Sequence, residues 1–203
     1  MKGYLYHNSE ELIVSIACLI IAYQMTRHYR QTSDIIPFMI AEGFFILSAS
    51  SIIHIMGHIL GEVQGLLYGS LIGYLTGFSS IISAPFVRQG SRIRKYIPSV
   101  LFLFLTLLFL LSSMVVDFFK TRFSLWMPTA FLSSLLAVIY LSEYLKDRKT
   151  NIGAITIGFF LVAVSSIFLF FPADVKSFPW MAGHIIRPTG FLMLVLGFSM
   201  GWE

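Results

Sequence analysis

Seven apolar stretches, each near the length that crosses a bilayer, fill most of this chain. They cover residues 10–27, 35–59, 63–87, 97–117, 126–146, 151–172 and 179–201, each bounded by charge, Pro or Gly. A helix needs about 20 mostly apolar residues to cross about 30 Å of hydrocarbon. The pattern predicts an all-α polytopic membrane protein, a seven-transmembrane-helix bundle forming a single integral membrane domain over 1–203. Gly61 and Glu62 leave only a tight turn between the second and third segments. The fourth is nearly all Leu, Phe and Val from Val100 to Val116, which predicts a place on the lipid-facing rim.

Composition agrees. Only 12% of residues are charged and mean hydropathy is +0.81, against about 25% charged in soluble domains. The basic residues sit in short clusters between apolar runs. That placement points to membrane orientation and to the lipid bilayer as partner, with no nucleic-acid partner. The single cysteine, Cys18, excludes an intrachain disulfide and cysteine-based metal motifs. The first run follows Glu10 and Glu11 instead of a basic leader, so it reads as a retained helix.

Arg27, Arg30, Arg88, Arg92, Arg94, Lys95, Lys146, Arg148 and Lys149 follow the first, third and fifth segments. Lys2, Lys120, Arg122 and Lys176 lie on the other side. Nine against four puts the N-terminus outside and the C-terminus in the cytoplasm. Trp126 and Trp180 at outer helix ends, with Tyr96 and Trp202 at inner ends, fit interfacial aromatic belts. The loops are short and hold no nucleotide-binding, kinase or cyclase module. Function is therefore expected between the helices or through a protein partner or homo-oligomer.

Small residues mark the expected packed centre. Gly65, Gly69, Gly73 and Gly77 form a stripe at i+4 spacing on the third segment. Gly183, Gly190 and Gly197 recur every seven residues on the seventh, and the second carries Ser48, Ala49, Ser50 and Ser51. Such faces let helix backbones approach closely in lipid. Tight packing of the second, third and seventh helices is one reading; room for a flat cofactor and an intermolecular contact are the others.

Ionisable groups inside a span cost about 2.5–3.5 kcal/mol each on insertion scales. Glu42, His54, His184 and Arg187 are such groups, with His58 nearer the outer end. At 1.5 Å per residue, His54 and His184 both lie roughly 7 Å below the outer surface. His58 shares a face with His54, and Arg187 lies one turn from His184. Glu42 is the acidic residue well inside a span, so Glu42 and Arg187 are read as an ion pair or proton relay.

Three readings of this cluster remain open. His54 or His58 with His184 would ligate a b-type haem, implying electron transfer or quinone linkage. His54 and His184, with His58, would alternatively hold a metal such as zinc. Here Ser50-x-x-x-His54 resembles an element of the seven-helix membrane hydrolases that include alkaline ceramidases. Those carry a His-x-x-x-His pair on their last helix, whereas His184 is followed at that spacing by Pro188. In the third reading the cluster, His54, His58, His184 and Arg187, recognises a quinone, headgroup or other ligand, or locks helices together. The stretch from His184 through Arg187, Pro188 and Gly190 to Phe191 resembles the last helix of membrane-associated sensor domains in bacterial and archaeal signalling proteins. That resemblance implies a prokaryotic cell membrane and an output carried by a separate subunit.

The leading expectation is a non-enzymatic cofactor- or ligand-binding membrane subunit, with haem b the named cofactor. A sensor-like or assembly subunit is the alternative, and a hydrolase the third. The seventh segment has no lysine, which removes a retinal Schiff base. No repeat between halves supports a carrier.

Overall fold

The computed structural model describes residues 2–60, 64–87, 123–170 and 177–200. These residues are all-helical. The described helices are α1 (Lys2–Thr32), α2 (Ile35–Ile59), α3 (Gln64–Val87), α4 (Phe123–Asp147), α5 (Thr150–Phe170) and α6 (Phe178–Met200). They correspond to the first three and last three apolar segments. The segment at 97–117, with its expected rim position, lies outside the described residues, as do Tyr96 and Trp202.

Five of the six helices match their apolar segments within a few residues. The exception is α1, which starts at Lys2, well before residue 10. Counting apolar residues finds the buried length of a helix, not its polar extension. Among the described residues, four helices, α1, α2, α5 and α6, are long and apolar enough to cross a membrane.

Two short connections set antiparallel neighbours. Ser33 and Arg148 take left-handed backbone angles, φ 55° and 54°. Each donates its N–H back to the helix it ends, to Tyr29 and Tyr144 carbonyls at 2.7 Å. This is a single-residue helix stop of the kind usually given to glycine. Asp34 then caps α2, accepting from Ile36 N–H at 3.1 Å. The chain thus reverses within two residues between α1 and α2.

The helix order closes into a ring. α1 packs on α2 and α6, α2 on α3, α3 on α4, α4 on α5, and α5 on α6. This corrects the expected centre of second, third and seventh helices: α1 stands between α2 and α6. The glycine faces explain the tight pairs. A Cβ on Gly43 of α2 would lie 2.7 Å from the Gly77 carbonyl oxygen of α3, and one on Gly190 of α6 2.9 Å from the Gly158 oxygen of α5. Gly183 meets Leu169 and Gly197 meets Ile155, so the heptad glycines of α6 all serve the α5 contact. On α3, Gly73 faces Ser50 and Gly77 faces Gly43 and Leu47, whereas Gly65 and Gly69 have no described atom within 4 Å of a built Cβ.

The ring interior has two layers. Toward the end where α2 begins and α6 finishes it is aromatic: Phe44 meets Phe198 edge-on at 5.5 Å, and Tyr140 stacks on Phe159 at 5.6 Å. Toward the end where α6 begins it is charged.

Candidate functional site

Arg187 organises the charged layer. It lies nine residues into α6 and is 1% exposed. Its Nη1 donates to Glu10 Oε1 at 3.0 Å and to Glu11 Oε1. Its Nη2 donates to the Tyr74 hydroxyl at 2.9 Å, with Glu11 Oε2 at 3.5 Å. The guanidinium carbon stands 4.8 Å from the Trp126 ring centroid and 5.5 Å from that of Tyr74. One side chain therefore joins α1, α3 and α4 to α6. Its Nε is buried and has no acceptor among the described residues.

The two carboxylates come from adjacent positions on α1. Consecutive helical residues point about 100° apart, so Glu11 faces the ring interior and Glu10 faces α6. Glu11 is fully buried and Glu10 is 4% exposed. Glu11 Oε2 accepts from the Tyr74 hydroxyl at 2.7 Å. That spends the single Tyr74 proton, so at 2.6 Å the Ser51 hydroxyl is the donor to Tyr74. A continuous chain of hydrogen bonds thus runs from Ser51 on α2 through Tyr74 to Glu11 and Arg187.

His184 completes the cluster. Its Nδ1 contacts Glu10 Oε2, the oxygen that Arg187 leaves to it. Its ring lies 4.3 Å, centroid to centroid, from Trp180.

The other expected site residues fall elsewhere. His54 is buried on α2; its Nδ1 is 3.2 Å from Ser70 Oγ and its ring meets His58 edge-on at 4.8 Å. The contacts of His54 are thus Ser70 and His58, and those of His184 are Glu10 and Trp180. Ser50 donates to the Ile46 carbonyl of its own helix at 2.7 Å. Among the described residues no group of three or more His, Cys, Asp or Glu side chains is arranged to hold a metal ion. Glu42 lies on an exposed face of α2. The carboxylate partners of Arg187 are Glu10 and Glu11, which corrects the Glu42–Arg187 pair. Heights along two helices cannot show which way each side chain points around its axis.

Glu10, Glu11, Tyr74 and Trp126 are the residues that sequence reasoning missed as site members. Glu10 and Glu11 read as the charged boundary of the first apolar run. A usable signal was present: Glu11, Ser15, Cys18 and Ala22 form a small and polar stripe at helical spacing, and all four are buried. Ser15 on that stripe bonds Ser48 of α2 at 2.8 Å. Trp126 fits an interfacial belt by its position near a helix start, but it is 5% exposed and lies over Arg187. No protein-family model, curated protein or solved structure matches this chain.

Proposed function

We propose that this chain is a non-enzymatic integral membrane subunit, a seven-helix bundle with its N-terminus outside, whose outer-half charged cluster is a ligand-responsive site of the sensor-like kind. One observation carries the reading. Arg187, fully inside the bundle, ties four helices together through Glu10, Glu11, Tyr74 and Trp126. Ionisable groups in a span are expensive and serve function by default. Glycine pairs and apolar layers already hold the helices together. A charged group shared by four helices is suited to changing their packing when its charge balance changes.

The same considerations favour a partner chain. Glu42 lies on the outward face of a helix apolar enough to span a membrane. A carboxylate facing lipid is costly, and a polar group on a neighbouring subunit removes that cost. The proposal names no haem b, quinone or zinc: the contacts of His54 are Ser70 and His58, and those of His184 are Glu10 and Trp180.

The test is whether the bundle needs the charges. Buried ion networks replaced by well-packed hydrophobic residues of similar volume are often neutral for stability or stabilising by about 1–4 kcal/mol. The triple variant E10M/E11M/R187M is expected to keep its helical circular dichroism and at least a wild-type melting temperature in detergent. A variant that no longer folds would make the cluster a helix lock and remove the proposal.

A further inference from the structure

We propose that this chain pairs with a second copy of itself through the outward faces of α1 and α2, with Arg27 of each copy against Glu42 of the other. The inference rests on the partner-chain reading of Glu42 and names the neighbour.

Helix geometry sets the direction of the two charges. On α2, Gly43 packs against Gly77 of α3, and Ser48 bonds Ser15 of α1. At 100° per residue, Glu42 lies about 100° from Gly43 and about 120° from Ser48, on the arc that faces neither neighbour. On α1, Ser15 marks the α2 side, and Glu10, which bonds Arg187, marks the α6 side. Arg27 lies about 120° from the first and about 100° from the second. Both charges therefore point out of the ring. Both are exposed, and neither has an ion pair or hydrogen bond among the described residues.

The two charges also share a height. Arg27 stands five residues before Thr32, the last of α1, and Glu42 seven after Ile35, the first of α2. At 1.5 Å per residue these are about 7.5 and 10.5 Å from the turn between the helices. The long arginine side chain covers the difference of about 3 Å.

Apolar side chains continue both faces. Phe38, Phe45, Ile52 and Met56 are exposed on α2, and with Glu42 and half-buried Ala49 they alternate by four and three residues. On α1, Ile13, Ile16, Ile20, Tyr23 and Arg27 are exposed and alternate by three and four. This is the a/d spacing along which two helices form a seam.

A twofold axis along the membrane normal uses both faces at once. The rotation sets α1 of one copy opposite α2 of the other, and the reverse, so each contact occurs twice. Arg27 and Glu42 then meet across the interface in two equivalent ion pairs. A foreign helix bearing a lysine or arginine would neutralise Glu42 and leave Arg27 unmatched. Apolar faces alone have no hydrophobic drive to associate in lipid, so the charges supply the selectivity.

The experiment exploits this reciprocity. R27E with one tag and E42R with a second tag are expressed separately and together, and dimer is measured by chemical cross-linking in membranes. Two R27E copies set glutamate against glutamate, and two E42R copies arginine against arginine. Each variant alone is expected to form at least about tenfold less dimer than wild type. A mixed pair regains both ion pairs, so the co-expressed copies are expected to cross-link to each other as wild type does and to co-purify through either tag. A second measurement keeps the charges. Tyr23 and Phe45 lie about 13.5 and 15 Å from the same turn, and the native Cys18 is buried. Y23C and F45C on separate copies are expected to form a mixed disulfide on oxidation with copper phenanthroline, in preference to either cysteine with itself. Single wild-type copies in the membrane with no mixed disulfide would overturn the inference, as would dimer loss in R27E and E42R that mixing does not restore. A Glu42-dependent cross-link to a different protein in place of a second copy would also overturn it, while leaving the partner-chain reading standing. None of these results bears on the folding of E10M/E11M/R187M, which tests the Arg187 cluster.

Discussion

Tyr74 carries three hydrogen bonds on one oxygen: it donates to Glu11 and accepts from Arg187 and Ser51. Its ring also stands beside the Arg187 guanidinium. Tyr74→Phe keeps the ring and deletes only the hydroxyl. It leaves one Arg187 donor and one Glu11 oxygen in a buried site with fewer partners. Buried polar groups left short of a bond cost about 1–3 kcal/mol each. Y74F is therefore expected to lower the unfolding free energy by about 2 kcal/mol, measured by thermal or denaturant unfolding in detergent. Retention of wild-type stability would show that Tyr74 contributes through its ring alone. The same local accounting explains why Arg187 is not interchangeable with lysine: one Nη donates to two carboxylates while the other reaches Tyr74, a planar fork that an ammonium lacks.

At the scale of elements, the glycines divide into those that carry a helix contact and those that do not. Gly190 opposes the Gly158 carbonyl and Val162 of α5, so an added methyl group must push α5 and α6 apart. Overpacking of this kind costs about 1–3 kcal/mol. Gly190→Ala is expected to lower the melting temperature measurably. Gly69→Ala, with no described atom within 4 Å of its Cβ, is expected to leave it within error or raise it. A comparable loss from both substitutions would mean that the close α5 contact is not what requires glycine at 190, because alanine gains helix propensity at either position. The i+4 stripe on α3 was legible in the sequence as a smooth face. Its division into a packed half and a half without described contacts was not, because the stripe does not say where the neighbouring helix crosses.

For the whole molecule, the proposed orientation places the Ser33–Asp34 and Arg148–Lys149 turns on the cytoplasmic side and the start of α6 outside. Single cysteines at exposed Gln31 and Phe178 report this directly, since the native Cys18 is buried. In intact cells a membrane-impermeant thiol reagent is expected to label F178C and to spare Q31C until the membrane is opened. The opposite pattern would invert the bundle. The basic residues that motivate the orientation were readable from order alone, because charge near a helix end acts locally.

Sequence by itself determined the helical class and the bounds of five described helices; the tight turn it predicts at Gly61 and Glu62 lies outside the described residues. It also singled out Arg187 and His184 as groups that need a reason to be buried. These follow from local properties: apolar length, capping residues and the cost of charge in an apolar run. Tertiary structure alone decided what surrounds those groups. It set α1 between α2 and α6, turned Glu10 and Glu11 inward onto Arg187, and left Glu42 outward. The physical reason is rotational. Spacing along a chain gives the height of a residue on its helix. Only packing around a closed ring sets the direction in which that residue points, and the partner of a buried charge depends on both.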